Sequence, residues 1–147
     1  MTDYYSRTVV RPHLPLTETQ QRLLSYTGEE EGCEPAVRAL AQDLKFDGDT
    51  NCAGTEYYIC KNDTFYLYCE ENLPEGLVPF LQHVLEGLPA DRFPYIEVEV
   101  GYSCTKMRSD GFGGSAYFIT RDGVDEVHTA RWLSDRVADY GAMHKNG

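Results

Sequence analysis

Residues 55–88 and 95–138 run in the same order of strand, turn, strand and helix, and no other feature of the chain constrains its fold as much. In the first unit, Thr55–Lys61 and Thr64–Glu70 are rich in strand formers and flank an Asn62-Asp63 turn, which reads as a β-hairpin. A helix is expected from about Asn72-Leu73-Pro74-Glu75, a capping-box pattern, with the stripe Leu77, Phe80, Leu81, Val84, Leu85 and Leu88. Pro79 lacks an amide donor, so this helix either kinks there or begins there. In the second unit Tyr95–Val100 alternates, with Ile96, Val98 and Val100 facing inward and Glu97 and Glu99 outward. A glycine-rich connection from Tyr102 to Gly114 leads to the strand Ala116–Thr120, the turn Arg121-Asp122-Gly123 and an edge strand over Val124–His128. Thr129 then caps a last helix on which Trp132, Leu133 and Val137 share a face. The two units share no residue-level repeat. Together they predict an α+β fold, an antiparallel sheet with helices mainly on one face.

The N-terminal third adds a strand and two short helices. Tyr4–Val10 reads as a strand, closed by Arg11-Pro12. Thr17-Glu18-Thr19-Gln20 is a capping box, opening a helix expected to run to Tyr26 and stop at Gly28. Glu29-Glu30-Glu31-Gly32 is an acidic loop. Pro35 suits the first turn of a second helix, whose apolar positions are Val37, Leu40, Ala41 and Leu44. At 147 residues the chain has the length of one domain. Its segments are 1–50, the hairpin and helix of 51–90, the strands and helix of 91–140, and a flexible tail at 141–147.

Cys33, Cys52, Cys60, Cys69 and Cys104 are odd in number and none are paired as C-x-x-C, which argues against a disulfide framework or a zinc site. The first residues form no secretory signal, and no apolar run approaches the roughly 20 residues of a membrane span. A cytoplasmic protein with reduced thiols is expected.

The formal net charge is −11 and it is uneven. Residues 51–100 hold nine acidic side chains against two basic ones, a net −7, whereas residues 101–147 balance at six and six. Such a field repels phosphate backbones and acidic lipid, excluding direct nucleic-acid and membrane partners, and attracts basic surfaces. Excess acid also serves plain solubility.

Strand alternation sets Tyr66 and Tyr68 opposite Phe65, Leu67 and Cys69. The more apolar set packs better against helices, so the tyrosines look outward, joined by Tyr57 or Tyr58 according to register. Exposed tyrosines anchor protein interfaces. With Glu70, Glu71, Glu97 and Glu99 they form a candidate partner-binding set, in which a row of carboxylates can imitate a phosphate track. The bland reading of the same carboxylates is solvated surface. Two of them could also act as acid and base, which needs a cleft.

Other constellations are weaker. Asp47, Asp49 and Asn51 match the first ligands of a calcium loop, but Cys52 stands in place of the turn glycine and Tyr58 in place of the bidentate Glu. Gly111-Phe112-Gly113-Gly114 resembles a phosphate cradle, yet it feeds a strand rather than a helix. With Lys106, Arg108 and Phe112 it could make loop contacts. His13, His83, His128 and His144 are scattered, and Cys104 could be a nucleophile only beside a histidine in space. No cofactor, metal or catalytic residue is indicated.

The stretch Gly101-Tyr102-Ser103-Cys104, Asp110–Thr120 and Trp132-Leu133 resembles small uncharacterised proteins of bacteriophages and mobile elements. The resemblance covers about the last third of the chain and carries no catalytic residues. It implies a setting, the cytoplasm of a bacterial cell, in which small acidic proteins such as anti-CRISPR and toxin-immunity proteins disarm nucleic-acid-handling machinery.

The leading expectation is a non-enzymatic inhibitor covering the basic surface of a nucleic-acid-handling protein such as a CRISPR effector. The alternatives are an immunity protein against a cognate toxin, and a small enzyme or ligand-binding domain using the 102–114 loop with Cys104, Lys106 and Arg108. Self-association as a homodimer is compatible with each.

Overall fold

A computed structural model describes residues 4–26, 34–46, 50–104 and 113–143. Within them lie six strands: β1 (Tyr4–Arg11), β2 (Glu56–Ile59), β3 (Phe65–Cys69), β4 (Ile96–Cys104), β5 (Gly113–Thr120) and β6 (Gly123–His128). The helices are α1 (Glu18–Leu23), α2 (Pro35–Asp43), α3 (Leu77–Glu86) and α4 (Thr129–Met143). The strands make one antiparallel sheet in the order β2-β3-β1-β4-β5-β6. The N-terminal strand is thus central. It joins the β2–β3 hairpin to the β4–β5–β6 meander, and each flanking strand finds on β1 the ladder it lacks.

Alternation decides the two faces. Thr8, Val10, Leu67, Cys69, Ile96, Val98, Val100 and Ile119 turn inward and are buried. They share one core with Leu23 of α1, Val37 and Ala41 of α2, and Leu77, Phe80, Leu81, Val84 and Leu85 of α3. The expected α+β arrangement is what forms, with α1, α2 and α3 supplying one side of that core.

Local chemistry explains the element ends. Thr17 and Gln20 close the capping box, with Gln20 N–H donating to Thr17 Oγ1 at 3.1 Å and Thr17 N–H to Gln20 Oε1 at 2.9 Å. The box predicted at Asn72–Glu75 does not form. Instead α3 starts at Leu77 with Gly76 as its cap, which puts Pro79 in the first turn, where its missing amide costs nothing. Gly76 is required by contact: a Cβ there would lie 2.7 Å from the Asn51 carbonyl. At the other end of α3, the Arg121 guanidinium donates to the carbonyls of Leu85 (2.9 Å), Leu88 (2.8 Å) and Phe93 (2.9 Å). It thereby ties the β5–β6 turn to the negative end of the helix.

Other expectations shift at their margins. α1 ends at Leu23 rather than Tyr26, and Gly28 lies outside the described residues. β4 extends to Cys104 and β5 starts at Gly113, so both ends of what read as a long connection are strand, and residues 105–112 lie outside the described residues. Lys106, Arg108 and Phe112 fall outside the described residues, as do Asp47, Asp49 and the tail from His144. The second unit carries the extra strand β6, and its helix α4 meets β5 and β6 but adds no buried side chain to the core. Among the described residues no helix is long and apolar enough to cross a membrane.

Candidate binding surface

Among the described residues no helix of the inner core lies on the second face of the sheet, and the side chains of that face follow from the register. Tyr58 lies opposite Tyr66, and Glu56 opposite Tyr68. Tyr68 pairs with Val9, and Val9 with Glu99. Arg11 pairs with Glu97, which faces Phe118 and then Asp125 across β5 and β6. Two rows therefore cross the face: Glu56, Tyr68, Val9, Glu99, Ala116, Val127, and Tyr58, Tyr66, Arg11, Glu97, Phe118, Asp125.

The register settles which tyrosine joins the pair. Tyr58 stacks on Tyr66 with centroids 4.8 Å apart and stands 6.0 Å from Tyr68, while Tyr66 and Tyr68 are 5.6 Å apart. His13 meets the edge of Tyr66 at 5.7 Å. Tyr57 turns to the other side, against Phe65. Tyr58 is 54% exposed, and Tyr66 and Tyr68 are half-buried by one another and their neighbours. Mutual packing fixes the rings, so a partner contacting them pays little side-chain entropy. The Tyr68 phenol is held above its ordinary pKa, first by its hydrogen bond to Glu56 and then by burial and by the nearby charges of Glu56 and Glu70.

The carboxylates are not left as a bare row. Arg11 Nη2 donates to Glu99 at 2.8 Å and Arg11 Nε to Glu97 at 3.5 Å, and these partners raise the guanidinium pKa. Arg11 and both glutamates are about half exposed, so these pairs are weak, worth about 0–1 kcal/mol, and open to exchange. Two concavities flank this centre. One of about 520 Å³ is lined by Arg7, Tyr66, Tyr68, Glu70 and Glu99. The other, of about 690 Å³, is lined by Arg11, His13, Arg92, Tyr95 and Glu97.

Of the residues singled out from sequence, Tyr66, Tyr68, Glu70, Glu97 and Glu99 come together here. Glu71 is exposed in the connection after β3, outside the two rows. Sequence reasoning missed Glu56, Phe118, Asp125 and the two arginines Arg7 and Arg11. Alternation along β1 could have shown that Arg7 and Arg11 share a face, but not that β1 would be inserted beside Glu97 and Glu99.

A second polar site lies on the helix side of the sheet. Ser115 Oγ is 2.6 Å from His128 Nδ1 and 3.4 Å from Tyr102 Oη, and His128 Nε2 is 3.2 Å from Glu126 Oε2. With its proton on Nε2, His128 donates to Glu126 and accepts from Ser115. The order hydroxyl, imidazole, carboxylate is that of an activated nucleophile. Ser115 is however 5% exposed, which denies a substrate carbonyl access to its oxygen. Beside this chain a cleft of about 630 Å³ is lined by Tyr102, Tyr117, Glu126, Asn72, Glu75 and Val78. Burial, with Glu126 and Tyr102 nearby, raises the Tyr117 phenol pKa.

Gly113 and Gly114, read from sequence as half of a loop motif, belong to β5. A Cβ at Gly114 would come within 2.9 Å of the Val100 carbonyl, and the Gly114 amide donates to Thr129 Oγ1 at 2.9 Å. Their role is close strand and helix approach. Asn51, the one described member of the calcium-like motif, accepts the Ala53 amide on its side chain at 2.9 Å and the Gly76 amide on its carbonyl at 2.9 Å, as a turn residue does.

Known proteins supply no parallel. No family model, curated protein or solved structure matches this chain. The surface must be read from its own chemistry.

Proposed function

We propose that this chain is a non-enzymatic binding protein whose open sheet face engages a basic surface on a protein partner. The observation that carries the reading is the juxtaposition, on a face that no helix of the inner core covers among the described residues, of three mutually packed tyrosines with Glu56, Glu70, Glu97, Glu99 and Asp125. Tyrosines give rigid contact area with a polar tip, and carboxylates steer and orient a cationic partner. The internal pairs of Arg11 with Glu97 and Glu99 act as placeholders that an incoming arginine or lysine can exchange.

The partner class that fits is a nucleic-acid-handling protein, whose basic groove the carboxylate rows would occupy in place of phosphates. A CRISPR effector blocked by a phage-encoded protein is one form of this, and a toxin held by its immunity protein is another. A short arginine-rich peptide is a direct probe. Reversing Glu70, Glu97 and Glu99 together to Lys is expected to weaken peptide binding at least roughly ten-fold, since several charge contacts are inverted at once. Unchanged affinity would end this reading. The two partner forms separate on whether equimolar chain releases nucleic acid from a CRISPR effector or silences a neighbouring toxin.

A second reading, a small-ligand domain, is favoured by the cleft between Tyr102, Tyr117, Glu75 and Glu126. Its aromatic walls and two carboxylates suit an organic cation. Saturable binding of an arginine or polyamine that is lost in Tyr117→Ala, with peptide binding intact, would establish it.

A further inference from the structure

The sheet has two edge strands, β2 and β6. α4 meets β6, whereas among the described residues β2 pairs with β3 alone. Glu56, Tyr57, Tyr58 and Ile59 are all exposed along β2. For Tyr57 and Ile59 the exposure is 40 and 68%, although such residues normally seek cover.

The hairpin bonding shows what β2 offers on its outer side. The Cys60 N–H donates to the Thr64 carbonyl at 2.7 Å. Bonded and non-bonded pairs alternate along an antiparallel ladder, so Tyr58 and Glu56 also turn their amides toward β3. The N–H and C=O groups of Tyr57 and Ile59 then point off the edge of the sheet. No proline, lysine or bulge lies within β2 to blunt that edge.

We infer that β2 accepts an extended segment of the protein partner as a further antiparallel strand, in which basic and apolar residues alternate. The two sides of β2 set that pattern. Glu56 and Tyr58 lie on the open face, beside Tyr66 and Tyr68. An arginine there stacks on the exposed Tyr58 ring and reaches the Glu56 carboxylate. Tyr57 and Ile59 lie on the other side, where an apolar residue covers them. Paired strands keep opposite residues on one face, so the incoming segment repeats the alternation of β2. Charge favours a cationic strand over any other, because residues 51–100 carry a net −7. The inference rests on the open-face reading and adds the form of the partner to it.

Two peptides of one composition and about eight residues test it on the full chain, one alternating Arg-Val and the other grouped as Arg-Arg-Val-Val. The alternating peptide is expected to bind at least roughly ten-fold more tightly, because only it places every arginine on the open face. Its binding should protect the Tyr57 and Ile59 amides from hydrogen exchange, which contact through side chains alone does not do. N-methylation of its valines keeps the charge and removes the donors that an antiparallel strand aims at β2, so the preference and the protection should both disappear. Ile59→Pro removes one outward donor at an edge position that tolerates proline, and should weaken the alternating peptide by a few fold. Equal binding of the two peptides, or Tyr57 and Ile59 amides that exchange as in the free chain, overturns the inference and leaves the open-face reading standing. Failure of that reading shows differently, as peptide binding indifferent to reversal of Glu70, Glu97 and Glu99, and takes the inference with it.

Discussion

Single side chains set the character of the open face. Arg11 stands between Glu97 and Glu99 and neutralises part of the field that would draw a basic partner. Removing it should tighten binding of the arginine-rich peptide, so Arg11→Ala is expected to raise affinity by a few fold at low salt, measured by titration calorimetry. A surface recognising its partner by apolar contact alone would not respond in this way. Inside the sheet, the Thr8 hydroxyl is buried with no hydrogen-bond partner among the described residues. Thr8→Val keeps the shape and removes the unsatisfied oxygen, so it should raise stability by about 1 kcal/mol in urea unfolding. Cys52 is fully buried, and desolvation raises its thiol pKa well above the ordinary 9.0, as does burial for Cys69. The unfolded thiols ionise near pH 9 while the folded ones keep their protons. Their stability contribution is therefore complete below that pH and falls as pH rises beyond it, by up to about 1.4 kcal/mol per pH unit for each thiol. Cys52→Ala should flatten this alkaline decline in urea melts between neutral and alkaline pH.

Elements show where sequence reading succeeds and where it stops. The α3 stripe and the alternation of β3 and β4 were legible because burial on one side imposes a period of two or 3.6 on the residues themselves, whereas β2, exposed along its whole length, was legible from its strand formers and the turn beside it. The start of α3 was not. Asn72-Leu73-Pro74-Glu75 has the letters of a cap, yet the approach of Asn51 places the helix start at Gly76, and that contact spans 25 residues of chain. Gly76→Ala forces a side chain into backbone and should cost about 1–3 kcal/mol, read from the urea midpoint. α4 misled in the opposite sense. Its apolar face was legible, but whether such a face meets the chain's own sheet or another molecule is not encoded in periodicity.

For the whole molecule, the decisive fact is topological. Inserting β1 between β3 and β4 brings the tyrosines of the hairpin beside the carboxylates of β4, residues roughly 30 positions apart, and adds Arg7 and Arg11 to the same surface. Tyr66, Tyr68, Glu97 and Glu99 could each be assigned an outward direction from sequence. Their adjacency could not, because it depends on strand order. Charge counts by segment likewise missed the arginines, which come from a different third of the chain. Mapping the arginine-rich peptide on the isotope-labelled chain by amide chemical shifts addresses this surface most directly. The expected result is a contiguous set of perturbations over Tyr58, Tyr66, Tyr68, Glu97 and Glu99 that fades as salt is raised. Perturbations gathered instead over α1, α2 and α3, or unaffected by salt, would contradict the assignment of the open face as the binding surface.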